Sequence, residues 1–273
     1  MRKSLLLAAV LGTFALPAAV MAEDAAPAAD AAPAPAPAAE PAPPYTLTYN
    51  IGLYSQYIFR GLTQTGEEPA IQGGVDFAHS SGFYLGTWGS NISWLEDGGT
   101  YDNASLEWDI YGGYANNIGD TGIGYNVGVL QYIYPGDTKP GVKKAETTEI
   151  YGALSYKWLQ AKVSVVASDG AFGVRNADGT YYAELNANYP IGDTGLTVNA
   201  HIGRQEYSGS TAGVSNDVFS YTDYKLGLTK SWTNGINVGG YFTDTNAKKA
   251  GYGAFAGGNI ADSEFTAFIQ KTF

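Results

Sequence analysis

The chain has 273 residues, a formal net charge of -11, no Cys, 36 Gly and 21 Tyr. The acidity argues against nucleic acid as a partner, and the lack of Cys removes disulfides and thiolate chemistry. Mean hydropathy is near neutral, at -0.14. Beyond the N-terminus there is no run of about 18 apolar residues, which excludes helical membrane spans but not barrel strands, where polar and apolar positions alternate.

Arg2-Lys3 precede an apolar run from Leu5 to Leu16, and Val20-Met21-Ala22 place small residues at a cleavage site. Residues 1–22 therefore predict a secretory signal peptide, too short in its apolar run for an anchor. Residues 23–44 are almost wholly Ala, Pro and acid. This linker has no apolar face to bury, and at about 3.1 Å per residue it reaches on the order of 70 Å. It reads either as a disordered leader that clears the export machinery or as a periplasmic tether toward the cell wall.

From Tyr45 the pattern changes to a period of two. Tyr45, Leu47, Tyr49, Ile51, Leu53, Tyr57 and Phe59 share one face, and Thr46, Thr48, Asn50, Gly52, Gln56 and Arg60 the other. Strict alternation predicts strands, over 45–59, 69–78, 82–94, 104–115, 123–134, 147–156, 160–168, 180–189, 196–204, 220–230, 236–243 and 259–273. The links between them alternate long and polar with short, as in outer-membrane barrels with long outer loops and short periplasmic turns. Ile118-Gly119-Asp120-Thr121-Gly122 recurs as Ile191-Gly192-Asp193-Thr194-Gly195, each as a short turn. The expected fold is all-β, a transmembrane up-and-down antiparallel β-barrel of twelve strands over 45–273.

The last stretch carries its own signal. Phe265, Ala267, Ile269 and Phe273 fall on one side, with Lys271 as the exception. A closing strand must pair with the first, and Phe265, Ile269 and Phe273 are the candidates for recognition by the barrel-assembly machinery. Lys271 lies close enough to the periplasmic end to snorkel to phosphate or water.

If the apolar parity faces lipid, the polar parity faces the lumen. That sends Asp76, Glu107, Asp109, Glu149, Glu184, Asp223 and Glu264 inward, with Arg60, Lys162 and Lys225. A Lys or Arg facing lipid at mid-depth costs about 2–4 kcal/mol, which supports the assignment. Twelve strands spaced about 4.8 Å and tilted near 40° give a backbone radius of roughly 12 Å. Side chains then leave an opening on the order of 10 Å, which one folded-in loop would close. The expected function is passive diffusion of small solutes or ions with mild cation preference. The alternative is a filled, non-conducting structural or adhesion-type barrel in which these charges satisfy one another.

Enzymatic chemistry is not expected. His201 has lumen parity and no Ser two residues away, whereas a barrel phospholipase needs a Ser-His pair facing lipid. Glu96-Asp97-Gly98-Gly99 with Asp102 and Asn103 do not match a 12-residue calcium loop and read as a solvated acidic loop. No metal or cofactor is expected. Lys143-Lys144 and Lys248-Lys249 fall in outer loops, where they bridge lipopolysaccharide phosphates or merely solubilise. Outer-membrane lipid and lipopolysaccharide are the expected surroundings, in a Gram-negative outer membrane.

Tyr57-Ile58-Phe59-Arg60-Gly61-Leu62-Thr63-Gln64-Thr65 resembles the Y-x-F-R-G-x-S-Q-T signature of the TorF-type porins, with Thr63 where that family usually has Ser. The likeness continues through Pro69–Asp76, Ser81–Asn91 and Glu107–Tyr114, and extends more weakly to Phe273. It implies a proteobacterial outer-membrane barrel for passive transport, with no substrate attached. Arg60-Gly61 is expected where strand one turns into the first outer loop, with Arg60 paired to Asp76 or Glu107 or else solvated.

Overall fold

The structure, a computed structural model, describes residues 43–256 and 258–273. The expected signal peptide, and the expected linker as far as residue 42, lie outside the described residues. Twelve strands close into one antiparallel barrel. They are β1 (Tyr45–Tyr54), β2 (Ala70–His79), β3 (Phe83–Asn91), β4 (Leu106–Asn117), β5 (Ile123–Ile133) and β6 (Thr147–Tyr156), followed by β7 (Leu159–Val166), β8 (Tyr181–Pro190), β9 (Leu196–Glu206), β10 (Tyr221–Ser231), β11 (Ile236–Thr245) and β12 (Glu264–Thr272). Each strand pairs with its sequence neighbours, and β12 closes on β1 with Asn50 opposite Thr272 and Tyr54 opposite Phe268. Closure satisfies every edge, as a sheet in lipid requires.

Parity decides which side chains meet lipid. On β1 the odd residues Leu47, Tyr49, Ile51 and Leu53 are exposed, while Gly52 and Tyr54 are buried inside. On β3 Phe83 and Leu85 point out and Tyr84, Gly86 and Ser90 point in. Exposed aromatics collect at both ends of the apolar belt: Tyr45, Trp158, Tyr189 and Phe273 toward the turns, and Trp108, Tyr181, Phe242 and Phe265 toward the loops. Two such girdles mark membrane interfaces.

The repeated pentapeptides form twin turns. Ile118 and Ile191 donate their amides to the carbonyls of Ile123 and Leu196, both at 2.8 Å. Thr121 and Thr194 donate their hydroxyls back to the carbonyls of Ile118 and Ile191, at 2.7 and 2.6 Å. In each turn both glycines take positive φ, 52° and 74° in the first and 51° and 71° in the second.

Three boundaries differ from the sequence reading by three residues or more. β12 begins at Glu264 rather than 259, and Trp94, expected at the end of β3, opens a short helix over Trp94–Asp97. The third correction matters most. β1 ends at Tyr54, not 59. Tyr54 stacks on Phe268 at 5.3 Å and the Ser55 amide bonds to the Ala267 carbonyl at 2.8 Å. The chain then leaves the wall and enters the bore.

Candidate functional site

The segment that enters is the signature stretch itself. Ile58–Phe59 and Leu62–Thr63 form a two-stranded ribbon of their own, turning at Arg60-Gly61. Arg60 has φ 47° and Gly61 φ 78°. Two successive left-handed residues are what a two-residue hairpin turn demands, and glycine supplies the second without cost. Gly61 is needed for space as well: a Cβ there would stand 2.6 Å from Thr245 Cγ2 and 2.7 Å from Asp223 Cβ. The hairpin tip therefore touches β10 and β11 after leaving β1.

Its side chains reach the rest of the wall. Gln56 donates to Glu264 on β12 at 3.0 Å, and Tyr57 donates its hydroxyl to Glu107 on β4 at 2.9 Å. Arg60 reaches farthest, donating to Glu149 on β6 at 2.8 Å and to Gln205 on β9 at 2.7 Å. Its guanidinium lies 4.2 Å from the Tyr182 ring centre, 4.8 Å from Phe59 and 5.7 Å from Phe172. The expected pairing of Arg60 with Asp76 or Glu107 is thus corrected. Because the hairpin crosses the bore, Arg60 meets the Glu149 carboxylate of the far wall, and Asp76 instead accepts from the Tyr111 hydroxyl at 2.5 Å.

Backbone contacts of the hairpin go to other outer loops. Thr63 donates its amide to the Ile260 carbonyl at 2.9 Å, and Ser93 and Trp94 donate theirs to Gln64 at 2.8 and 3.1 Å. Leu62 packs in a cluster with Tyr221, Tyr252, Ile260 and Ala261. Beyond Ser55 no rung of the barrel ladder includes this segment.

Beneath the hairpin lies a buried acidic compartment. Glu107, Asp109 and Glu149 are 1%, 0% and 1% exposed. Neither oxygen of Asp109, nor Oε1 of Glu149, has a hydrogen-bond partner among the described residues. Accessibility then rises toward the turns. Along β4 the inward residues pass from Glu107, Asp109 and Tyr111, all buried, to half-exposed Gly113 and Ala115 and exposed Asn117. Along β2 they pass from buried Ala70 and Gln72 to half-exposed Gly74, Asp76 and Ala78. Along these two strands the interior is closed at its loop end and opens toward its turn end, whereas Asn199, Thr229 and Asn237, near the turns on β9, β10 and β11, stay buried.

A family model described as "Bacterial protein of unknown function (Gcw_chp)" matches residues 38–273. The chain belongs to the Gcw_chp family. No curated protein matches it in sequence. Among solved structures it is similar to the KdgM porin, with TM-score 0.52 and 7% identity over 83% of this chain and 99% of that one. It is similar also to the NanC porin, with TM-score 0.50 and 13% identity over 84% of this chain and 99% of that one. At such identities the likeness is one of fold: this Gcw_chp member is built as a twelve-stranded porin-like barrel of the outer-membrane type.

The remaining inward groups of the Gcw_chp barrel form a second network. His201 Nε2 lies 3.0 Å from Asp223 Oδ1, and Nδ1 lies 2.6 Å from Asn186 Oδ1. The Tyr182 hydroxyl, whose ring carries Arg60, lies 2.8 Å from His201 Nε2 and donates to Asp223 at 3.0 Å. Lys162 pairs with Glu184 at 3.6 Å, and Lys225 lies opposite His201, its ammonium 5.6 Å from the Tyr241 ring centre. His201 is therefore enclosed by polar partners inside the barrel. Among the described residues no three His, Asp or Glu side chains gather as a metal site.

On the outer face Phe265, Ile269 and Phe273 are all exposed. Lys271 donates to the Asn234 carbonyl in the last turn and lies 5.0 Å from the Phe273 ring centre. The loop lysines are partly engaged within the chain: Lys143 with Asp169 at 2.8 Å, Lys144 with Glu146 at 3.6 Å and Lys248 with Asp217 at 3.0 Å. The bond from Lys143, followed by its charge, holds the Asp169 carboxyl below the usual carboxylate range. Sequence reasoning missed Tyr132, Phe172, Tyr182 and Gln205 around Arg60. Only Gln205 and the two tyrosines have inward parity on strands, and Phe172 comes from the fourth outer loop, which carries no periodic signal.

Proposed function

We propose that the chain is an outer-membrane channel for passive diffusion of small solutes or ions, held closed at its outer half by the hairpin over residues 55–65. It is exported through a signal peptide over 1–22 and assembled through Phe265, Ile269 and Phe273 by the barrel-assembly machinery, amid outer-membrane lipid and lipopolysaccharide. The observation that carries this reading is the hairpin's attachment. It bonds through side chains and to neighbouring loops, not through the barrel ladder, so it leaves the bore without opening the sheet. The likeness of Tyr57–Thr65 to the TorF-type signature supports it, because that stretch is the part of the chain that obstructs the bore. Arg60, Asp76, Glu107, Asp109, Glu149, Lys162, Glu184, Asp223, Lys225 and Glu264 are the proposed lining. A structural, non-conducting barrel is the second reading, favoured by the zero exposure of Asp109.

Single-channel recording in planar bilayers separates the two. Wild-type protein is expected to show small, infrequent openings, and Arg60→Ala larger and more frequent ones, since it releases the hairpin from Glu149 and Gln205. Silence from both proteins, each shown to be folded and inserted, would establish the filled barrel instead.

A further inference from the structure

The surroundings of Arg60 have the makings of a ligand site. Two acceptors on different strands, Glu149 Oε2 and Gln205 Oε1, each take a separate guanidinium nitrogen within 2.8 Å. The rings of Tyr182 and Phe172 lie against the same cation, and the Tyr132 hydroxyl bonds to Glu149 Oε2 at 3.3 Å. A planar cation with diverging N–H donors satisfies such a cage; a compact ammonium reaches one acceptor and stacks poorly. The wall also carries surplus acceptors, since Glu149 Oε1 and both oxygens of Asp109 are buried without a hydrogen-bond partner among the described residues. Buried carboxylate oxygens in that state call for a donor-rich cation.

The present occupant is carried on a segment outside the barrel wall. Arg60 reaches the cage from a hairpin tip outside the barrel ladder, at a φ of 47° that a non-glycine residue adopts at a cost. The geometry points to a binding site for a guanidinium-bearing solute, formed by Tyr132, Glu149, Phe172, Tyr182 and Gln205, with Arg60 as a tethered occupant that the solute displaces. Occupation by the solute and release of the hairpin are then one event. That this site serves transport rests on the channel reading; the binding itself does not.

Isothermal titration of full-length protein in detergent with methylguanidinium and L-arginine tests it, with L-lysine and sodium chloride as controls. Arg60→Ala is expected to bind the guanidinium compounds about tenfold more tightly than lysine, and about tenfold more tightly than wild type does. Adding Glu149→Gln to Arg60→Ala should abolish the preference. If Arg60→Ala does not fold, Arg60→Lys keeps the charge without spanning both acceptors and should still bind methylguanidinium more tightly than wild type. Equal affinity for guanidinium and ammonium compounds, or wild-type binding as tight as the variant's, overturns the site. Guanidinium preference in a protein that never conducts upholds the site and removes the channel reading. Conductance without the preference does the reverse.

Discussion

Arg60 and Gly61 sit side by side at one turn, yet different constraints hold them. Arg60 is kept by what its side chain reaches, Gly61 by what its missing side chain allows. In Gly61→Ala the new methyl meets Asp223 Cβ and Thr245 Cγ2 well inside contact distance, at a φ of 78° that alanine resists. Backbone strain and overpacking each cost about 1–3 kcal/mol, so the hairpin should withdraw from β10 and β11. The expected result is a barrel that still migrates as a folded, heat-modifiable band, with faster amide exchange at Leu62 and Thr63. Unchanged exchange there would mean that the tip does not depend on this contact. Inward parity was readable from the sequence for Glu107, Asp109 and Glu149, because lipid on one side forces alternation. The partner of Arg60 was not, since the contact with Glu149 spans 89 positions and depends on a loop crossing the bore.

At the scale of elements, β1 shows how periodicity misleads. Tyr57 and Phe59 continue the apolar parity of Tyr49, Ile51 and Leu53, so the alternation, interrupted only by Ser55, runs on to Phe59. Its cause changes at Ser55. Before that residue the odd side chains face lipid, and after it Tyr57 and Ile58 are buried in an interior already lined by Tyr54, Tyr84 and Tyr111. An aromatic lumen rewards the same residues as a lipid face does, and only the tertiary fold tells them apart. The other barrel strands were readable to within a few residues at most ends, because each is bounded by turn residues or polar loops. β12 is the element whose loss should be felt most. The Phe273 amide bonds to the Tyr49 carbonyl at 2.8 Å, beyond the last ladder pair of the seam. Deleting Phe273 should therefore lower the amount of folded barrel recovered from outer membranes, read as the heat-modifiable fraction on gels. Recovery equal to wild type would remove the assembly role proposed for this residue.

Across the whole molecule, charge and water are distributed unequally along the axis. The groups nearest the open turn end, or half-exposed elsewhere in the bore, are Asp76, Lys162, Lys225 and Glu264, two acids and two bases. Glu107, Asp109 and Glu149 lie in the sealed part, answered by Arg60 alone among the bases named here. Charges exposed to electrolyte are screened within about 8–10 Å, so those a permeating ion passes closely dominate selectivity. With the hairpin in place, the ions meet a nearly balanced lining; with it displaced, they meet the three sealed carboxylates. Selectivity should therefore rise with opening rather than stay fixed. Gly61→Ala tests this without altering any charge. In a potassium chloride gradient its reversal potential should lie further toward the potassium value than that of the rare wild-type openings. Adding Glu107→Gln to Gly61→Ala should pull the potential back, whereas the same substitution alone should change little the potential of the small wild-type openings, in which the hairpin stays in place. A Gly61→Ala open state no more cation-selective than the small wild-type openings would show that the buried acids never line the path.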